Sequence, residues 1–196
     1  MSRWEPNARE RLQQSAMELY TERGFDQTTV AEIAARAGLT ERTFFRYFAD
    51  KREVLFWGSA MLQDFLVERV AGAPAGTPPM DAVTAALEAT GPMFEERRDF
   101  ARQRHALIVG HPELRERELI KLASLASALT EALRGRGTAD LIARLTAETG
   151  LAVFKVAFEH WVHDPHEREL PSHLRDVRTA LEAIATGNTM ANVRHG

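Results

Sequence analysis

Residues 28–57 read TTVAEIAARAGLTERTFFRYFADKREVLFW, and the punctuation of this stretch predicts two short helices joined by a tight turn. Thr29 with Glu32 has the spacing of a capping box, in which a hydroxyl and a carboxylate satisfy the N–H groups that a helix start leaves without partners. Val30, Ile33, Ala34 and Ala37 then fall on one stripe, and Gly38 supplies the residue type that accepts a left-handed conformation just past a helix end. Leu39 anchors the turn. Thr40 is placed to cap a second helix, in which Phe44 and Phe48 share a face and point to a core. Glu41, Arg42, Thr43, Phe45, Arg46 and Tyr47 are left facing outward. A short helix with outward aromatics and arginines, following a glycine turn, has the form of a helix-turn-helix, whose second helix reads DNA.

Downstream, Asp50 with Glu53 repeats the cap spacing, so a further helix is expected to begin near Lys51. Its ammonium would sit at the positive end of the helix dipole, a mismatch that a DNA phosphate would offset. Upstream, Asn7 with Glu10 starts a helix whose Leu12, Ala16, Leu19 and Tyr20 share a face and which stops at Gly24, before Phe25. Taken singly, these features have plainer readings: Lys51 as a solvated lysine, Phe45 as a packed ring, Arg3 as part of a disordered tail instead of an arm into a minor groove. The specificity lies in their order.

The series Ala16, Leu19, Gly24, Phe25, Thr28, Thr29, Val30, Ile33, Ala34, Ala37, Gly38, Leu39, Thr40, Thr43, Phe44, Arg46, Phe48, Lys51 and Leu55 resembles the N-terminal domain of the TetR family of bacterial transcriptional regulators, over roughly residues 9–60. The resemblance implies that Thr29 touches the DNA backbone, that Thr40 to Tyr47 enter the major groove and that Lys51 holds a phosphate. Two positions depart from the pattern: many relatives carry Tyr at Phe45 and His at Tyr47, which moves the hydroxyl contact two residues along. On chemistry alone, Arg42 and Arg46 can each fork onto guanine O6 and N7 or onto phosphates, and Glu41 can accept from cytosine N4. Thr43, Phe45 and Tyr47 offer a methyl, a ring and a hydroxyl. A bidentate base contact discriminates by about 1–3 kcal/mol, whereas phosphate contacts fix register alone.

Bulk charge does not announce a nucleic-acid partner: 25 Lys plus Arg stand against 28 Asp plus Glu, a formal charge of −3. Binding must come from a local patch, and Arg42, Arg46, Lys51 and Arg52 against Asp50 supply one. One such module would bind weakly and with strong salt sensitivity, so a dimer presenting two recognition helices is the sensible unit. The absence of cysteine excludes disulfides, thiolate zinc sites and cysteine nucleophiles. With no apolar leader and no run long enough to cross a bilayer, the reading is a soluble, cytoplasmic protein without a membrane partner.

No segment shows strand-like alternation, so the chain is read as all-α: a helix-turn-helix head over 7–57 with its fourth helix running to about 71, a helical body over 58–187, and a tail over 188–196. AGAPAGTPP at 71–79 marks a loop. Helices are expected at 80–97, 99–109, 113–134, 139–163 and 172–186, with Pro92 bending or ending the first. The helix over 139–163 is apolar on more than one side, through Leu141, Leu145, Phe154, Val156, Phe158 and Trp161 among others, which suits a core on one side and a partner on another. By resemblance the last two helices make a four-helix bundle across a two-fold axis, giving a homodimer that matches a palindromic operator.

The resemblance also implies a small-molecule pocket within the body. Met93, Phe94, Phe100, Leu107, Phe154 and Phe158 are wall candidates, and Arg102, Arg104, His105 and His111 are polar anchors. The stretch over 104–118 looks like regulators that answer to acyl-CoA-like or other long apolar ligands, and an apolar cavity with few polar groups fits such an effector. In any helical bundle, however, most of those rings would be core. A separate reading makes the protein a metal-responsive regulator or metal-dependent enzyme using His160, His163 and His166, with Glu159 and Asp164 nearby. Histidines in a last helical turn are also ordinary partners of its negative end. No nucleophile, phosphate-cradling glycine loop or paired-carboxylate motif is present, so neither catalysis nor a cofactor is expected.

Overall fold

The computed structural model describes residues 8–187, within which every regular element is a helix and no strand occurs. Helix α1 (Ala8–Arg23) buries Leu12, Ala16, Leu19 and Tyr20 and stops where Gly24 takes a φ of +87°. Asn7, Arg3 and the tail from 188 on lie outside the described residues. Helix α2 (Val30–Arg36) opens on the capping box: the Thr29 hydroxyl accepts from the Glu32 N–H at 3.2 Å, and Glu32 Oε2 accepts from the Thr29 N–H at 2.9 Å. Its other end closes as a Schellman motif, with Gly38 N donating to Ala35 O at 3.0 Å and Leu39 N to Ala34 O at 2.8 Å. That closure needs the left-handed φ of +66° at Gly38. Helix α3 (Glu41–Tyr47) starts on Thr40, whose hydroxyl accepts from the Thr43 N–H at 3.2 Å.

The segment after α3 departs from expectation. Asp50 does cap it, accepting from the N–H groups of Arg52 at 2.8 Å and Glu53 at 3.2 Å. The cap leads into a 3-10 turn over Glu53–Phe56, and helix α4 (Ser59–Ala71) begins only afterward. Val54, Leu55 and Phe56 are all buried; three successive residues cannot share one face of an α-helix at 100° per residue, so burying them together takes a different local path. The Glu53 carboxylate does not return to the cap, because Arg117 and Lys121 bind it.

The remaining helices are α5 (Pro79–Glu88), α6 (Gly91–Glu95), α7 (Arg98–Gly110), α8 (Pro112–Gly135), α9 (Asp140–His163) and α10 (Leu170–Ala185). The chain divides into two units: one holds residues up to Leu62 together with Arg102–Lys121, the other Gln63–Ala101 and residues from Leu122 onward. The first unit is therefore larger than the head expected over 7–57. The junction of α7 and α8 joins it: the His111 ring meets Phe25 edge-on at 5.1 Å, and Arg104 donates to the Leu55 carbonyl at 2.8 Å.

In the second unit the helix expected over 80–97 breaks at Ala89 and Thr90, and Pro92 sits in the first turn of α6, where its missing N–H costs nothing. Helix α9 packs against α5 and α10, burying Ala143, Ala147, Gly150, Leu151, Phe154, Ala157 and Trp161. The small members of that series allow a close approach: a Cβ on Gly150 would lie 2.5 Å from Val83 Cγ1. Between α9 and α10, Asp164 ties the turn, its Oδ1 accepting from His166 N at 2.8 Å and its Oδ2 from Arg168 N at 3.3 Å and His173 Nε2 at 2.9 Å. None of the described helices is long and apolar enough to cross a membrane.

Replacing Gly150 by alanine should destabilise the fold by about 1–3 kcal/mol, because valine is stiff at χ1 and cannot swing aside; the double variant with Val83→Ala should lose less than the sum of the two single losses, read from urea midpoints. The His166 N–H, and then the imidazole of His173, hold the Asp164 carboxyl below the usual aspartate range despite its desolvation. A carboxyl depressed in the folded state stabilises fully above its unfolded pKa, and that contribution disappears as pH falls through the folded value. Urea midpoints followed from about pH 6 to about pH 2 should show a steeper acid decline for the natural protein than for Asp164→Asn.

Candidate nucleic-acid interface

Helix α3 splits cleanly by face. Phe44 and Phe48 are buried with rings 5.5 Å apart, while Phe45 meets Phe44 edge-on at 5.5 Å yet stays 55% exposed. Glu41, Arg42 and Arg46 are exposed, and Thr43 and Tyr47 are half-buried along the flanks. A phenylalanine left this accessible costs solvation unless a partner covers it, and a thymine methyl is such a partner. The hydroxyls of Thr40 and Thr43 stand 3.0 Å apart, so the first turn presents a paired donor-acceptor edge.

Arg46 and Tyr47 form one assembly. Arg46 Nη2 donates to the Tyr47 hydroxyl at 3.0 Å, and its guanidinium lies 4.9 Å from the Tyr47 ring centroid. Arg9, at the start of α1, also lies over that ring at 5.3 Å and over the Trp57 ring at 6.0 Å. Sequence reasoning does not find Arg9 and Trp57 as members of this surface. Nothing in the local spacing links residue 9 to residue 47; the link appears only once α1 and α3 pack. Thr29 is exposed at the start of α2, its hydroxyl within the capping box.

Lys51, expected to hold a phosphate, has internal acceptors. Its ammonium donates to the carbonyls of Phe25 at 2.8 Å, Thr28 at 2.9 Å and Asp26 at 3.3 Å, and lies 4.4 Å from the Phe25 ring centroid. An ammonium has three N–H donors, so these contacts occupy it. It closes the loop between α1 and α2, whose irregular backbone leaves carbonyls that a cation can satisfy. Arg52 is paired to Asp50 at 2.6 Å. Of the four cations in the patch, Arg42 and Arg46 are the two that α3 itself carries on its outward face.

The six residues expected at an effector pocket divide between the units. Phe94, Phe154 and Phe158 form a ring cluster in the second unit, with centroids 5.6 to 5.8 Å apart. Trp161 completes it, 5.5 Å from Phe158 and 6.0 Å from Phe94. Arg104, His105 and Leu107 belong to the first unit. Arg104 is tied within that unit: besides the Leu55 carbonyl it binds Glu118 at 3.1 Å and covers the Phe56 ring at 5.0 Å. Desolvation lowers its pKa, and Glu118 opposes that shift.

The histidines at 160, 163 and 166 do not converge. His163 Nδ1 lies 2.7 Å from the Glu159 carbonyl, the usual partner of a last-turn histidine, and Asp164 is engaged with its own turn. Among the described residues no group of three or more His, Cys, Asp or Glu side chains is arranged to hold a metal ion.

Comparison with known proteins agrees with this geometry. Residues 13–56 match the family of bacterial regulatory proteins of the tetR type, and residues 77–187 match the MftR C-terminal domain. The chain is 31% identical, over 157 residues, to a Mycobacterium tuberculosis protein described as a mycofactocin biosynthesis transcriptional regulator, MftR, covering 76% of this chain and 77% of that one. Among solved structures, the repressor FadR of Thermus thermophilus, in complex with lauroyl-CoA, superposes with a TM-score of 0.58 at 24% identity, over 96% of this chain and 97% of that one. FadR of Bacillus subtilis, in complex with stearoyl-CoA, superposes at 0.57 with 19% identity, over 88% and 96%.

The position of Lys51 yields a discriminating test. Lys51→Met keeps the contact with the Phe25 ring but removes the carbonyl bonds, and should lower stability by about 1–3 kcal/mol while leaving the salt dependence of DNA binding unchanged. A direct phosphate contact would do the reverse, reducing the slope of log K against log salt by about 1.

Proposed function

The chain belongs to the TetR family of bacterial transcriptional regulators, and on that premise we propose that it is a repressor which binds a palindromic operator as a homodimer and is released by a small, mostly apolar ligand. The observation that carries this reading is the face of α3: a helix capped at its start, buried through Phe44 and Phe48, and offering Glu41, Arg42, Thr43, Phe45, Arg46 and Tyr47 to the outside. Arg42 and Arg46 read guanine edges, Glu41 a cytosine amino group and Phe45 a thymine methyl. Thr40 and the Tyr47 hydroxyl set register on phosphates, and Thr29 does so at the start of α2. Lys51 contributes by holding the loop before α2 in place.

Dimerisation is assigned to α9 and α10. Leu141, Leu145 and Val156 on α9 and Ile184 on α10 remain exposed, Leu141 at 67% and Ile184 at 63%. Side chains of this kind on paired helices are what an isologous four-helix bundle covers. Two recognition helices related by the same two-fold would then meet half-sites about 34–36 Å apart. The effector site is assigned to the ring cluster of Phe94, Phe154, Phe158 and Trp161, where an acyl-CoA-like or other apolar molecule would find complementary surface. Acyl-CoA complexes of the two FadR proteins support that choice of chemistry. A ligand that prefers the non-operator conformation by about 1–3 kcal/mol weakens operator binding roughly 5- to 150-fold. A regulator of chromosomal DNA works in the cytoplasm.

Selection of bound fragments from random DNA should enrich an inverted repeat. The double variant Arg46→Ala, Tyr47→Ala should lose the enriched preference while its dimer mass in sedimentation is unchanged; specificity retained in full would exclude α3 as the reader. Leu145→Glu should shift sedimentation toward the monomer and abolish cooperative occupancy of the two half-sites.

A further inference from the structure

Arg98 opens α7 and belongs to the same unit as the ring cluster. Its side chain is only 10% exposed. One nitrogen, Nη2, is provided for: it lies 3.2 Å from Glu95 Oε2 and donates to the Arg168 carbonyl. The other two, Nε and Nη1, are buried and have no hydrogen-bond partner among the described residues. A guanidinium carries a fixed positive charge and cannot relieve its desolvation by losing a proton. Buried donors of a charged group left without acceptors are among the costliest defects a fold can keep.

The neighbours do not remove this cost. The guanidinium stacks over Trp161, with Cζ 4.9 Å from the ring centroid, which compensates charge but offers no lone pair to Nε or Nη1. Glu95 is already engaged, since its Oε1 accepts from Trp161 Nε1 at 2.9 Å and from Leu170 N at 2.9 Å. Trp161 is also a member of the cluster with Phe94 and Phe158, and those two rings remain only half-buried. A guanidinium with two unsatisfied donors therefore adjoins an apolar, partly accessible set of rings within one unit.

We propose that Arg98 is the anion anchor of this unit, taking on Nε and Nη1 the oxygen atoms of a carboxylate or phosphate whose apolar body lies against Phe94, Phe154 and Phe158. The ligand class is an amphipathic anion, such as a fatty or aryl-alkyl acid or a thioester bearing phosphates. This deepens the effector reading above and rests on the ring cluster being that site. Charge-assisted bonds to a guanidinium are the strong ones, so the anionic group, not the chain, decides which apolar molecule binds.

The test titrates the full-length protein with decanoate, decanoyl-CoA and 1-decanol by calorimetry, with operator release as a second readout. At least one charged probe should bind about tenfold or more tightly than 1-decanol, and whichever does so identifies the carboxylate or the phosphate as the recognised group. In Arg98→Met the preference should fall to within about twofold, with 1-decanol affinity retained. The comparison in the natural protein needs no variant, so misfolding of Arg98→Met would not shield the proposal. Equal binding of all three probes, or a preference that survives Arg98→Met, overturns the anchor while leaving an apolar effector site intact. Binding of none overturns both.

Discussion

A seven-residue helix has too few hydrogen bonds to hold itself together in water, and α3 is that short. Its existence depends on support from outside: Thr40 capping one end, Phe44 and Phe48 buried along one side, and the Schellman closure at Gly38 fixing the angle at which it leaves α2. The same constraint determines what α3 can show. With one side committed to the core, the remaining residues are presented in a fixed order and direction, and the surface proposed to meet DNA is set by the packing behind it.

Around that head, long side chains secure segments that have little regular structure of their own. Lys51 binds three carbonyls of the loop before α2, and the Tyr20 hydroxyl donates to the Lys51 carbonyl at 2.7 Å. Glu53 is bound by Arg117 and Lys121, and Arg104 closes on the Leu55 carbonyl. Each of these hydrogen bonds and ion pairs makes only a modest net contribution. Here they matter by position, since they pin the loop before α2 and the 3-10 turn after α3.

These ties mark the boundary between features legible in the sequence and features that are not. The caps at Thr29 and Thr40, the turn at Gly38, the burial of Phe44 and Phe48 and the all-α class each arise from residues within a few positions of one another. Local chemistry suffices there, and the structure agrees. The features that spacing does not reveal join distant positions. Spacing sets Lys51 against the helix dipole and cannot show that the loop before α2 supplies acceptors for it. The resemblance makes Arg104 a pocket candidate, and its ties to Leu55 and Glu118 come from positions far off in the chain. Arg9 beside Tyr47 leaves no trace in spacing at all. The aromatic cluster is legible in part because Phe154 and Phe158 recur on one helix face; the adjoining cation is not, since nothing in the order of residues reveals that Nε and Nη1 of Arg98 lack acceptors.

The contact between Arg46 and Tyr47 has a consequence for how such a reader changes over time. Because the guanidinium rests on the ring and holds its hydroxyl, replacing either residue alters the conformation available to the other, and the two effects on recognition cannot be additive. A lineage drifting toward a new target would pass through intermediates in which one half of the pair is badly placed. Divergence of base preference at this corner should therefore proceed by joint replacement of neighbouring residues, while Glu41 and Arg42, which make no such contact with each other, can be exchanged one at a time.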